Sequence, residues 1–234
     1  MFLSDTRQIV VDRAAPAQDL AANLAPPAPR TPGFDATRAL DILLSLIAIV
    51  FFAPIMALIW MAIRLQDGGP ALFRQKRIGF GGQDFACMKF RTMVVGAEEK
   101  LKALLDADPA ARLEWARDQK LRNDPRITWL GAFLRKSSLD ELPQLFNVLR
   151  GEMSLVGPRP IIVAEIPRYG RSFRHYCAVR PGVTGIWQIS GRNDVSYNRR
   201  VAMDITYARR RCVGLYVRIL MATVPAVILR SGSY

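Results

Sequence analysis

The chain has 234 residues, enough for one domain or at most two with a real core, and half of them are hydrophobic. It carries 33 lysines and arginines against 20 acids, a net charge of +13, and a mean hydropathy of +0.10, so its expected partners are anionic: phosphate ligands, nucleic acid or acidic lipid headgroups. The single histidine, His175, excludes a multi-histidine metal centre; three scattered cysteines (Cys87, Cys177, Cys212) exclude a CxxC zinc knuckle or a disulfide framework and suit a reducing cytosol.

Residues 1–34 read as a disordered tail rich in Ala and Pro, with three basic and three acidic residues and no helical period. Asp5, Arg7, Asp12 and Arg13 interrupt any apolar block, so no secretory leader is expected. From Leu40 to Ile63 run 24 residues whose only charge is Asp41. As one helix this is about 36 Å, against a bilayer core of about 30 Å. Pro54 cannot donate to the Val50 carbonyl, and the halves on either side of it, roughly 21 and 16 Å long, are each too short to cross alone. A kinked span, a re-entrant helix–break–helix and a buried soluble helix all remain open, with the composition favouring the two membrane readings. Arg38 at one end and Arg64, Arg74, Lys76 and Arg77 at the other give a weak orientation signal and leave room for both ends on the cytosolic side.

Gly79–Met93 has strand and turn character. Glu98–Gln119 is helical but interrupted at Pro109, and Ile127–Arg135 and Leu142–Leu149 read as short helices. Residues 165–218 hold eleven arginines and three acids, net +8, without a helix-turn-helix or RNA-binding motif, so nucleic acid is not an expected partner. Leu215–Leu229 is apolar but short for a span, and suits an interfacial or packed helix.

The chemistry centres on Arg135-Lys136-Ser137-Ser138-Leu139-Asp140-Glu141-Leu142-Pro143-Gln144-Leu145. Ser138 with Glu141 spells a capping box, but Asp140 as the helix cap suits Pro143 better, because Pro143 then falls where an N–H has no intrahelical partner. Either way the spacing predicts two ionised carboxylates beside the positive end of a helix dipole. Arg135, Lys89 and Arg91 supply cations, and Arg159 in Gly157-Pro158-Arg159-Pro160 is fenced by two prolines that hold its guanidinium at low entropic cost. Such a set can bind Mg²⁺ and a diphosphate together, and a carboxylate can itself attack phosphorus. Taken singly, an acidic helix start and solvated arginines would explain the same residues. His175 in its charged stretch reads as a surface side chain, the three cysteines read as small buried hydrophobes, and Trp187 and Gln188 are candidates for a nucleotide or sugar pocket.

Lys89-Phe90-Arg91-Thr92-Met93, Leu139-Asp140-Glu141-Leu142-Pro143-Gln144-Leu145, Gly157-Pro158-Arg159-Pro160 and the run from Arg180-Pro181-Gly182 through Trp187-Gln188 to Gly191-Arg192-Asn193 together resemble the bacterial sugar transferase family of monotopic polyprenyl-phosphate phosphoglycosyl transferases. The resemblance runs from about Arg38 to Tyr234; Asp67-Gly68-Gly69-Pro70 and the closing Ser231-Gly232-Ser233-Tyr234 are similar to the galactosyl- or glucosyl-1-phosphate transferases that begin exopolysaccharide repeat units. It implies an α+β, mainly helical monotopic enzyme of the bacterial cytoplasmic membrane: a re-entrant helix over 35–65 broken at Pro54, then a cytosolic catalytic domain over 66–234. It implies Asp140 as nucleophile towards a UDP-sugar, release of UMP, a covalent phospho-sugar intermediate, transfer to polyprenyl phosphate, and Mg²⁺ held with Asp140 and Glu141. Lys89, Arg91, Arg135, Arg159 and Gln188 are then expected around the substrate. The family's Ser-Pro break is Ala53-Pro54 here, and a Lys often found before Arg38 is Thr37. The same chemistry on an N-acetylated amino sugar and a catalytically silent membrane-surface scaffold are the rival readings, and oligomeric state stays open.

Overall fold

The computed structural model describes residues 35–118, 120–190 and 196–228, so the expected tail over 1–34, the motif end at 191–193 and the closing 231–234 lie outside the described residues. Helix α1, Ala36–Asp67, has 32 residues, about 48 Å at 1.5 Å per residue. Asp35 caps it by accepting from the Arg38 N–H, and Gly68, at φ 69°, closes it by donating to the Arg64 carbonyl. The expected break is not seen as an interruption: α1 runs on through Pro54, which lies on its exposed side.

Packing on both sides of the proline explains this, since one lost hydrogen bond in a helix interior costs only about 3 kcal/mol. Arg38, Asp41 and Ser45 are buried before it and Ile59 and Ile63 after it, with Ala48, Ile49 and Met56 packed in between. Their spacing of three and four residues puts them on one face of a continuous helix. The two ends of that face pack on two separate core clusters and no residue between Ser45 and Ile59 is fully buried, while Leu43, Leu46, Ile47, Val50, Phe51, Leu58, Met61 and Leu65 form an exposed apolar face.

The N-terminal half is fixed by specific bonds. Arg38 donates to the Val148 and Leu149 carbonyls at 2.6 and 3.0 Å. Asp41, the one charge in the apolar run, accepts from Ser154 Oγ, the Leu155 N–H and Tyr216 Oη at 3.0, 2.8 and 2.8 Å. The C-terminal half instead buries Ile59 and Ile63 against Ala71, Phe90 and Leu134, each such aliphatic side chain contributing about 1.5–3 kcal/mol.

A hairpin follows, β1 (Leu72–Ile78) antiparallel to β2 (Asp84–Phe90), with Phe73 opposite Lys89 and Arg77 opposite Phe85. The expectation over Gly79–Met93 captured β2 and the turn but not β1, whose period is masked by Arg74, Lys76 and Arg77. Helices α2 (Ala97–Ala107) and α3 (Pro109–Asp118) are separated at Asp108-Pro109 as expected. Then come α4 (Trp129–Ser137), a 3-10 turn at Leu139–Glu141, α5 (Gln144–Arg150) and β3 (Ser154–Val156). Short α6 (Ile166–Tyr169) and α7 (Phe173–Cys177) lead to β4 (Gly182–Thr184), which pairs in parallel with β3. Helices α8 (Ile186–Ile189), α9 (Tyr197–Arg210) and α10 (Val213–Ile228) end the described chain.

The fold is thus α+β and mainly helical, as expected. Helix α10 buries Tyr216 and Ile219 in the main core and exposes Val213, Val217, Met221 and Val224. Cys87 and Cys177 are buried, but Cys212 is exposed in the link between α9 and α10 and does not serve as a core residue.

Candidate active site

The acidic pair sits in neither of the two caps the sequence offered. Ser138, at φ 58°, ends α4, and Leu139–Glu141 forms its own 3-10 turn. Pro143 occupies the cap of α5, where its missing N–H costs nothing. Asp140 is therefore carried on a tight turn between α4 and α5, and not in the first turn of a helix.

That turn packs on β2, and its electrostatics follow from Lys89. The ammonium lies 2.6 Å from Glu141 Oε1 and 4.0 Å from Asp140 Oδ2. Asp140 is buried, and burial pushes its carboxyl up to about 6; Glu141 adds to the rise, while Lys89 and Arg135 oppose it. Asp140 is thus still mostly ionised at neutral pH, as expected, but burial and not a helix dipole sets its charge. Burial also raises Glu141, but Lys89, Arg159 and the Gln144 amide outweigh it and hold this carboxyl below its usual range. Two adjacent carboxylates are thus set apart, one poised to titrate near neutrality and one firmly ionised.

Lys89, Glu141, Gln144, Arg77, Arg159, Trp187 and Gln188 line one cleft. Arg159 lies over the Trp187 ring at 5.6 Å, and Arg200 from α9 lies over it at 4.7 Å. The loop carrying Arg159 is stapled to the hairpin. Arg77 donates to the Pro160 carbonyl at 2.9 Å, the Ile78 N–H to the Ile161 carbonyl at 2.9 Å, and Tyr176 Oη to the Ile78 carbonyl at 2.6 Å. On its other side the loop meets β4 backbone to backbone: a Cβ on Gly182 would stand 2.0 Å from the Gly157 nitrogen. Only glycine permits that approach, and it sets the position of Gly157-Pro158-Arg159-Pro160 against Trp187-Gln188.

The Gln188 Oε1 is buried without a hydrogen-bond partner among the described residues, the state of an acceptor that a ligand N–H or O–H would satisfy. Behind the cleft, buried Asp204 accepts from Tyr169 Oη at 2.7 Å, and burial raises its carboxyl to about 7 against the opposing charges of Arg159 and Arg200.

Of the candidates named from sequence, Asp140, Glu141, Lys89, Arg159 and Gln188 come together. Arg135 borders them, its Nε donating to Thr92 Oγ1 at 2.8 Å while its charge acts on Asp140. Arg91 does not join them: its guanidinium pairs with Asp67 and donates to the Pro70 carbonyl at 2.6 Å, locking the turn after α1. His175 lies outside the cleft lining, its Nε2 3.1 Å from Arg209. Sequence reasoning missed Arg77, Gln144, Arg200 and Asp204. The Gln144 in Pro143-Gln144 was legible as part of a motif, whereas the other three reach the site only through the fold.

Among the described residues no cluster of three or more metal-ligating side chains occurs. Two adjacent carboxylates are nonetheless the protein share that suits a Mg²⁺ taking its other ligands from phosphate and water, and Lys89 stands as a competitor for Glu141.

The model of the bacterial sugar transferase family matches residues 34–230. An uncharacterized sugar transferase of Haemophilus influenzae is 50% identical over 197 residues, covering 84% of this chain and 42% of that protein. The undecaprenyl-phosphate galactose phosphotransferase of Salmonella typhimurium is 49% identical over 84% of this chain and 41% of its own length. The exopolysaccharide production protein ExoY of Rhizobium meliloti is 47% identical over 85% of this chain and 88% of its own. The chain thus spans about two fifths of the length of the first two relatives and most of the third. A family model that covers the apolar helix, the dyad turn and the Arg159 loop in one stretch establishes that this chain belongs to the bacterial sugar transferase family.

Proposed function

We propose that the protein transfers hexose-1-phosphate, galactose or glucose, from a UDP-sugar to a polyprenyl phosphate such as undecaprenyl phosphate, releasing UMP, at the first step of exopolysaccharide repeat-unit assembly. The observation that carries this reading is Asp140, a buried carboxylate with its charge tuned by Lys89 and Glu141, beside a cleft lined by Arg77 and Arg159. The name of the Salmonella relative supports this chemistry, and that of the Rhizobium relative supports the exopolysaccharide setting.

In this reading Asp140 Oδ attacks the phosphorus that bears the sugar. A P–O bond forms to aspartate, the P–O bond to UMP breaks, and the electron pair leaves with UMP. A phosphate oxygen of the lipid then attacks the same phosphorus and returns Asp140 as a free carboxylate. Lys89 and Arg159 neutralise charge on the phosphoryl oxygens, and Gln188 meets a donor group of the nucleotide or sugar. Asp140 and Glu141 are the residues that would hold Mg²⁺, which when bound supplies Lewis-acid stabilisation of the diphosphate.

The apolar face of α1 and the exposed stripe of α10 are the membrane-facing surfaces of this monotopic reading, with the catalytic domain on the cytosolic side of the cytoplasmic membrane. Both halves of α1 pack on protein, which supports a reading with both its ends on that side. Incubating the protein with UDP-sugars labelled in the sugar phosphate, without lipid, tests the core of the proposal. A label on the peptide containing Asp140, lost in Asp140→Asn, is the expected result, and the sugar that labels identifies the donor. Absence of label with every hexose and amino-sugar donor would favour the non-catalytic scaffold.

A further inference from the structure

A second concavity, of about 450 Å³, lies outside the dyad cleft, between the last turns of α1 and the start of β1. Its walls are the Trp60 indole, Leu72 and Phe73, and the only charged side chains among its lining residues are Arg64 and Arg74, with no acid. The acid next to it, Asp67, is already engaged by Arg91. Arg74 has no hydrogen-bond or ion-pair partner among the described residues, and Arg64 lies 5.9 Å from the centre of the Trp60 ring. Arg64 also donates to the Gly69 carbonyl at 3.4 Å, but neither arginine is paired with an acid among the described residues, and an apolar groove with two such guanidinium groups at the end of a lipid-facing helix fits a ligand with a hydrocarbon chain and a phosphate head.

Its position narrows the ligand further. Phe73 is paired with Lys89 across the hairpin, and directly opposed residues of an antiparallel pair carry their side chains on the same face, about 5 Å apart. Phe73 is half exposed, so this wall of the groove adjoins the lysine that contacts both carboxylates of the dyad. A bulk phospholipid has no reason to be led to that lysine; a lipid phosphate that must reach the Asp140 adduct has.

We propose that the groove formed by Trp60, Arg64, Leu72, Phe73 and Arg74 is the docking site of the polyprenyl phosphate acceptor, entered from the membrane and separate from the donor cleft. This rests on the function proposed above, and its test separates the two. In detergent-solubilised full-length protein, Arg64→Gln/Arg74→Gln is expected to leave Asp140 labelling by the donor unchanged and to raise the KM for polyprenyl phosphate about tenfold or more, the loss of one or two charge-assisted contacts. An unchanged KM, or an equal loss of labelling and transfer, overturns the docking site.

A binding readout stands apart from activity. A photoreactive polyprenyl phosphate should crosslink to the peptide spanning residues 60–74, and unlabelled polyprenyl phosphate should compete while equimolar phosphatidylglycerol does not. Equal competition by both makes the groove a general anionic-lipid site and overturns the acceptor assignment. Crosslinking elsewhere overturns the site itself. Failure of wild-type labelling with intact crosslinking would instead count against the proposed chemistry.

Discussion

The Lys89 ammonium lies 2.6 Å from Glu141 Oε1 but 4.0 Å from Asp140 Oδ2, so one cation serves two neighbouring carboxylates unequally. The nearer acid is held ionised and the farther one, buried, is raised to about 6. Only the ionised Asp140 can attack phosphorus. Donor labelling of Asp140 should therefore fall as pH drops through about 6 and level off above it. Lys89 opposes the rise, so Lys89→Met should move the acid limb to higher pH, cutting labelling at pH 7 and recovering part of it towards pH 9. A flat profile between pH 5 and 8 would contradict this electrostatic reading.

The same shift bears on stability. A carboxyl whose folded value, about 6, lies above its ordinary 3.8 favours the fold when protonated. Its contribution is fully present below the ordinary value and lost as pH rises through 6. Asp140→Asn, neutral at every pH, should thus be more stable than wild type at pH 8, by up to about 3 kcal/mol, and no more stable at pH 4. Thermal unfolding at the two pH values reads the difference. A gain in stability with loss of labelling is the signature of a strained functional group rather than a structural one.

Gly182→Ala probes how the Arg159 loop is placed. The new Cβ would stand 2.0 Å from the Gly157 nitrogen and 2.5 Å from the Thr184 carbonyl oxygen, both backbone atoms that no rotamer change can move. The variant is expected to lose about 1–3 kcal/mol or more and to bind the donor more weakly, because the loop that presents Arg159 must shift. Thermal melts together with the donor KM check it; a near-wild-type KM would show that Arg159 does not depend on this contact.

Asp41→Ala removes the acceptor for Ser154 Oγ, the Leu155 N–H and Tyr216 Oη at a fully buried site. Leaving several buried donors unmet costs about 1–3 kcal/mol each, so this variant should unfold at markedly lower temperature. A conservative melt would mean that water or another group takes over the donors.

Much of the site was legible because its residues fall in short, specific runs: Asp140-Glu141, Lys89 and the proline-fenced Arg159 all meet as expected. What was not legible depended on tertiary pairing. Arg77 reaches the cleft from a strand whose basic residues hide its alternation, and Asp204 is buried behind it on a helix that begins at Tyr197. Arg91 looked like a phosphate ligand by its neighbours, yet the hairpin register turns it towards Asp67. The raised carboxyl of Asp140 was not legible for a related reason. Sequence places an acid near a helix start, but only the fold shows that it sits on a separate buried turn, where desolvation outweighs any dipole.

The anchoring of both ends of α1 on protein makes the last prediction sharp. Arg38, Asp41 and Ser45 are buried before Pro54 and Ile59 and Ile63 after it. A helix crossing the bilayer would have to tear one of these two sets away, losing either the Asp41 bonds or the burial of Ile59 and Ile63. Single cysteines at Ala36 and Gln66, both exposed, in a Cys212→Ser background that removes the one exposed native thiol, should therefore be reached by a membrane-impermeant maleimide from the same side of a sealed vesicle. Labelling from opposite sides would make α1 a true span. Pro54→Ala separates the remaining geometries. If a bend in lipid were needed to bring the ends together, the variant would move one cysteine to the other side; if the helix lies along the protein unbroken, both stay where they were.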